Sequence, residues 1–237
     1  MDGKELLQAY NAGERNFSGL TLLELELLQL DLSDANFSQS DLRQSRLGRT
    51  HFCRANFEHS NLSESILWGS DLRNANLKNA QLREVDLSSA LLNNANLEHA
   101  NLIKASLCGA NLNNANLTMA CLLEADLRSN ADHRTDLGET NLSQADLSYA
   151  LLSGAILRGA NLSKAILCRA KLGKDYRTGS FLTDLSETNL QGADLSYADL
   201  TDVNLKEANL MGADLTGTLL HQANLYQAIM PDGQRHE

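Results

Sequence analysis

The sequence predicts an all-β solenoid, a single parallel β-helix of about ten coils opened by a short helical cap. Three observations predict it. Between Phe17 and Leu172 every fifth residue is Leu or Phe except Asp132, 31 of 32 positions, and the same beat returns from Leu185 to Met230. The residue two before each of these positions is small almost throughout, as at Ala35, Ala55, Ala75 and Ala95, or Ser60, Thr140 and Thr218. Asn16, Asn36, Asn56, Asn76, Asn96 and Asn116 stand at a spacing of twenty, each directly before a position of the beat.

A helix spaces its apolar residues by about 3.6 and a half-buried strand alternates, so a strict period of five fits neither. It demands one inward residue per short backbone segment, and internal repetition outranks local propensity. The spacing of twenty stacks amide on amide, as in other cross-β ladders, so four segments of five make one coil. At about 4.8 Å per coil the rod is roughly 50 Å long.

The elements follow in chain order. Asp2 as N-cap, Glu5 in the first turn, Leu6, Leu7 and Tyr10 at helical spacing and Gly13 as a stop predict an amphipathic helix over 3–12, within a cap spanning 1–14. Such a cap covers strand edges that would otherwise invite aggregation. The leucine-dense stretch from Leu20 to Leu32 forms the first coil beneath it, and the solenoid runs through 15–230 as one domain, because each coil contacts only its neighbours. Thirteen residues separate Leu172 from Leu185 where five are expected, so 175–182 is an eight-residue excursion. Continuing the amide ladder places Asp136 after Asn116 and, past the excursion, Asp184, Asn204 and Asn224. The same count puts Cys108 with Cys168 on one ladder, and Asp86, Asp126, Asp146, Asp194 and Asp214 on one side. Pro231 opens a polar tail, 231–237.

Triplets such as Ala95-Asn96-Leu97 and Ala213-Asp214-Leu215 closely resemble the pentapeptide-repeat family, A(D/N)LXX in consensus, over nearly all of residues 15–230. The resemblance implies a right-handed, quadrilateral β-helix with the beat and the small position inside and three positions outside. Within the family, the Glu5-to-Tyr10 opening and the Met230-Pro231-Asp232-Gly233 ending look like cyanobacterial members that act in heterocyst differentiation. That likeness implies a non-enzymatic regulator that binds another regulatory protein. A second branch, which imitates duplex DNA and inhibits gyrase, implies the alternative. Against it, duplex DNA carries one charge per about 1.7 Å, on the order of thirty along this rod. The chain has 30 acidic and 20 basic residues, a net of −10, and no C-terminal helical dimer module follows Met230. The same net charge argues against direct binding of nucleic acid.

No catalytic or cofactor motif emerges. The six histidines scatter over different coils, and Gly173-Lys174 lacks the earlier glycine and following Ser or Thr of a phosphate loop. The four cysteines, Cys53, Cys108, Cys121 and Cys168, form no CxxC and are expected to be free outward thiols. The expectation is a cytoplasmic monomer without cofactor, metal, small-molecule substrate or membrane span, whose partner is a protein. Function then rests on departures from the repeat. The excursion carries Asp175, Tyr176, Arg177, Phe181 and Leu182, types that include the aromatics and arginine enriched at binding hot spots. The second departure is Asp132-His133-Arg134, where a carboxylate replaces the inward leucine. An unpaired carboxylate in a leucine column is costly, so this segment is expected to bulge toward water or Arg134. Both departures fall on one side, two coils apart, as one irregular patch. Ile103 with Leu123, Tyr149 with Tyr197, and Trp68 are expected to lie outward.

Overall fold

The structure is a computed structural model that describes residues 1–174 and 181–237. One helix, α1 (Gly3–Asn11), opens the chain. Asp2 accepts from the Glu5 amide while the Glu5 carboxylate accepts from the Asp2 amide, a closed capping box. Leu6 is buried against the first coil, and the Tyr10 hydroxyl donates to the Ser33 carbonyl at 2.9 Å, tying the cap to the coils.

From Asn16 onward the chain is a parallel β-helix built from single-residue bridges rather than long strands. Asn16, Thr21, Glu26 and Asp31 pair in parallel with Asn36, Asp41, Arg46 and His51, twenty residues on, and the pattern repeats. Each five-residue segment uses its backbone in the same way. The Leu32 amide donates up to His51, the Asn36 amide donates down to Arg15, and the Ala35 amide closes a turn on the Leu32 carbonyl. The turn's third residue lies in the left-handed region, as in type II turns that ordinarily favour Gly. Among the described residues 30 non-glycine residues hold that conformation, Asp34 at φ 61° among them. Its amide donates to the next coil, Asp34 to Cys53 at 3.0 Å, so the ladder imposes a backbone that the side chains alone would avoid.

The inward positions from Phe17 to Leu210, Asp132 excepted, are buried, with the small residues between them. Phe17, Phe37 and Phe57 stack with ring centroids 5.4 and 5.3 Å apart, as the spacing of twenty requires. Where Ser or Thr replaces Ala, its hydroxyl meets a carbonyl: Ser40 donates to Phe17, Thr50 to Leu27. No buried side-chain polar atom among the described residues lacks a partner.

The amide ladder is present as hydrogen bonds. Asn36 Nδ2 donates to Asn16 Oδ1 at 3.0 Å, and Asn56, Asn76, Asn96 and Asn116 continue it. Its continuation corrects the sequence expectation. Asn116 pairs with Asn141, followed by Asn161, Asn189 and Asn209, whereas Asp136, Asp184, Asn204 and Asn224 extend the adjacent ladder from Asn111. The reason is a whole five-residue segment, 130–134, looped out of the coil, which shifts later residues by one side. The shift also separates Cys108, beside the Asp126 ladder, from Cys168, which follows Ile166 on the next. It likewise divides Asp86 and Asp126 from Asp146, Asp194 and Asp214. All four cysteines are free and half-buried, and burial pushes the Cys108 thiol up to about 11, with the Asp126 carboxylate adding to it.

At the far end Leu215, Leu220, Leu225 and Met230 are only partly buried, since no coil follows within the chain. The tail turns at Gly233 and returns, pairing Arg235 antiparallel to Ile229, with the His236 amide donating to Ala228. Polar residues 231–237 therefore cover one edge of the last coil.

The ladder allows a sharp test. Asn76 donates to Asn56 Oδ1 and lies within 3.3 Å of Glu58 Oε2, so Asn76→Asp sets a carboxylate against two acceptors. A loss of about 1–3 kcal/mol at neutral pH is expected. The folded carboxyl would be raised above its unfolded value, so the penalty should vanish as pH falls below about 4. Thermal melts at both pH values measure it.

Candidate functional site

Among the described residues the repeat is broken at two places, after Leu127 and after Leu172. Ser129 falls at a third turn position but does not enter the left-handed region, and the chain leaves the coil there. Asn130 then ties off a tight turn. Its Oδ1 accepts from the amides of Asp132 and His133 at 2.9 and 2.7 Å, and its own amide donates to the His133 carbonyl. Its Nδ2 reaches back to the Cys108 carbonyl and Ser89 Oγ. Asp132 and His133 are exposed on the tip. Of the two destinations open to Asp132, the structure takes water, and Asp132 points at no column of leucines.

Arg134 turns inward across the breaks. Its Nε donates to the Gly154 carbonyl at 2.8 Å, and Nη2 donates to the carbonyls of Ala155 at 3.1 Å and Leu182 at 2.6 Å. Its guanidinium lies 5.4 Å from the Phe181 ring centroid. Burial lowers the guanidinium's affinity for its proton, opposed by the carboxylates of Asp184 and Asp136. One arginine thus joins the bulge to the end of the excursion, so both breaks occupy one corner. The excursion leaves two coils above the bulge, since Asp126, Leu151 and Lys171 share a ladder. Phe181 and Leu182 are 44% and 47% exposed there. Asp175, Tyr176 and Arg177, the remaining expected site residues, lie outside the described residues.

Two threonines that composition does not single out reseal the coil. Thr135 Oγ1 donates toward the Arg128 carbonyl and accepts from the Gly109 amide at 2.8 Å. Thr183 does the same after the excursion, bonding the Leu172 carbonyl and accepting from the Gly154 amide at 3.0 Å. The Thr135 hydroxyl adds to the ladder bond that the Gly109 amide still makes to the Arg128 carbonyl at 3.2 Å, whereas the Thr183 hydroxyl is the acceptor for a Gly154 amide that has no backbone partner among the described residues. Glycine sits under each break because a Cβ there has no room. At Gly109, φ 68°, it would strike the Asn130 amide, and at Gly154, φ 80°, it would lie 2.6 Å from Ser129 Oγ and 3.4 Å from Phe181 Cβ.

Arg134 separates two shallow recesses. One, of about 380 Å³, is lined by Leu91, Ile156, Asp132 and His133 among others. The other, of about 470 Å³, is lined by Leu182, Asp184, Asp202, Asn204 and Lys206 among others. Among the described residues no three His, Cys, Asp or Glu side chains converge as a metal site would require. Among the same residues no helix is long and apolar enough to cross a membrane. The corner presents the half-exposed Phe181 and Leu182 beside a guanidinium whose donors are held by backbone carbonyls, with the Asp132 carboxylate exposed on the bulge.

The chain belongs to the pentapeptide-repeat family: the family model for pentapeptide repeats matches eight copies, over residues 31–69, 54–88, 90–128, 135–173 and 183–222. The matched segments stop at 128 and 173 and resume at 135 and 183, at the two breaks. Over the whole of both chains it is 53% identical, with a TM-score of 0.98, to HetL from the cyanobacterium Nostoc sp. strain PCC 7120, a pentapeptide-repeat protein involved in the regulation of heterocyst differentiation. HetL has the right-handed β-helix of this family, and the present chain shares it. QnrB1, a plasmid-mediated fluoroquinolone resistance protein, is 21% identical with a TM-score of 0.52, covering 90% of this chain and 87% of that one, a likeness of fold alone. Comparison with curated proteins finds no match.

Proposed function

We propose that this chain is a non-enzymatic scaffold that takes part in regulating heterocyst differentiation by binding another regulatory protein, as a cytoplasmic monomer. The observation that carries the reading is likeness to HetL along the whole length of both chains, including the segments around both breaks. We read the solenoid as a four-sided column of about ten coils, which agrees with four bridges in every regular twenty residues. Such a column keeps its interior for packing and leaves its skin for partners. The irregular corner is our choice of contact: Asp132, His133, Arg134, Phe181 and Leu182, with Asp175, Tyr176 and Arg177 of the same excursion. Hot spots favour aromatic and arginine side chains, and long departures from a regular scaffold commonly carry function.

Affinity capture from the native lysate of a heterocyst-forming cyanobacterium tests the reading. A regulatory protein held by the wild type should be lost with a variant lacking residues 175–182 and weakened about tenfold or more by Arg134→Ala. Capture equal in all three would move the contact to the flat faces. Inhibition of gyrase supercoiling by the purified protein would instead favour the DNA-mimicking alternative.

A further inference from the structure

A second surface lies on the ladder of Glu26, Arg46 and Ile66, which continues to Asp126, so it shares the corner's face three coils below the bulge; it is independent of the reading above. Leu28, Ile66 and Trp68 stand outward there at 41%, 39% and 40% exposure, the last being the chain's single tryptophan. Trp68 lies flat because Gly48, one coil below, leaves the space: a Cβ on Gly48 would come within 2.8 Å of the indole Nε1. Arg49 covers the ring from the side, its guanidinium 4.4 Å from the ring centroid. These residues surround a recess of about 220 Å³ that Arg46 also lines.

Two arginines of this patch are without a carboxylate partner among the described residues, as are Arg15, Arg134, Arg169 and Arg235, but only here do two of them flank an indole. Arg43, Arg54, Arg73, Arg83, Arg128 and Arg158 each hold a carboxylate within ion-pair distance. Among the described residues Arg46 and Arg49 hold none, although both are exposed on a chain of net charge −10. Two guanidinium groups without a carboxylate, one of them stacked on the indole, together with two aliphatic side chains form a surface complementary to a carboxylate-bearing, apolar segment. Glu26 and Asp86 bracket it along the ladder, which confines an acidic ligand to the strip between them.

We propose that the strip of Leu28, Arg46, Arg49, Ile66 and Trp68 docks an acidic protein segment with an apolar anchor, the anchor lying against Trp68 and its carboxylates on the two arginines. The occupant is a peptide segment rather than a nucleic acid, since the net charge opposes a polyanionic backbone extending beyond so small a basic strip.

Because Trp68 is the only tryptophan, its fluorescence reports the site directly. The probes are a short peptide of repeating Glu and Leu, its Lys–Leu counterpart, and oligothymidylate, titrated into the full-length protein. The acidic peptide should shift the emission to shorter wavelength saturably, and added salt should weaken it. Arg46→Glu with Arg49→Glu should reduce the affinity about tenfold or more. Gly48→Ala, which lifts the indole without altering charge, should weaken binding as well, with unchanged circular dichroism showing that each variant folds. No saturable shift, equal binding of both peptides, or affinity unchanged in the variants would overturn the proposal. A response to oligothymidylate that matches the acidic peptide would assign the strip to phosphate instead.

Discussion

Replacing Leu112 by Asp is expected to destabilise the solenoid by about 5 kcal/mol or more, adding the 2–5 kcal/mol of a lost core aliphatic to the several of a buried carboxylate. Leu112 is fully buried, its amide donates to the Asp136 carbonyl at 2.7 Å, and no water reaches the column between Leu92 and Leu137. In a stack of coils each interface depends on its neighbours, so the damage should spread to the coils above and below. Hydrogen exchange should show lost protection on both sides of residue 112. Asn113→Asp is the control. Asn113 is half-buried over Gly138, and its Oδ1 accepts from Asn114 Nδ2, a role that an aspartate keeps. Its neighbour Asp136 adds only a mild repulsion, so the change should stay within about 0.5 kcal/mol. Equal melting temperatures for the two variants would contradict the division into inside and outside.

The beat of five and the ladder of twenty were legible because a solenoid writes its core into the sequence at fixed spacing. The excursion was legible for the same reason: eight additional residues throw the beat out of phase. The bulge was visible only through Asp132, and its effect on register was hidden. An insertion of one whole period leaves the phase intact, so Leu137 still falls on the count while the chain has lost a side of the coil. Counting therefore placed Asp136 after Asn116, where the structure places Asn141. Thr135 and Thr183 were hidden too, because they occupy the small position just as Thr140 and Thr188 do, and only their hydroxyl partners distinguish them. The joining of the two breaks by Arg134 depends on contacts 48 residues apart, which no local pattern encodes.

That corner is also where the second large effect is expected, from a single methyl group. Gly109 and Gly212 share φ at 68°, so alanine meets the same backbone cost at either, about 1 kcal/mol at most in a ladder that already holds larger residues there. Their surroundings differ. Nothing lies within 4 Å of a Cβ at 212, whereas at 109 it would strike the Asn130 amide, with Cγ at 2.7 Å. Asn130 cannot step aside cheaply, because Nδ2 is held by Cys108 and Ser89 while Oδ1 holds the amides of Asp132 and His133. Gly109→Ala should therefore cost about 1–3 kcal/mol more than Gly212→Ala in denaturant melts. Adding Asn130→Ala should remove most of that difference, a non-additivity expected of residues in contact. If the two glycine variants melt alike, Asn130 does not lock the bulge over Gly109. If they differ and the double variant does not recover, the lost stability belongs to the Asn130 hydrogen bonds themselves. Because the same turn sets Arg134 against Phe181 and Leu182, Gly109→Ala should also disturb the corner from one coil below, without altering any residue exposed on it.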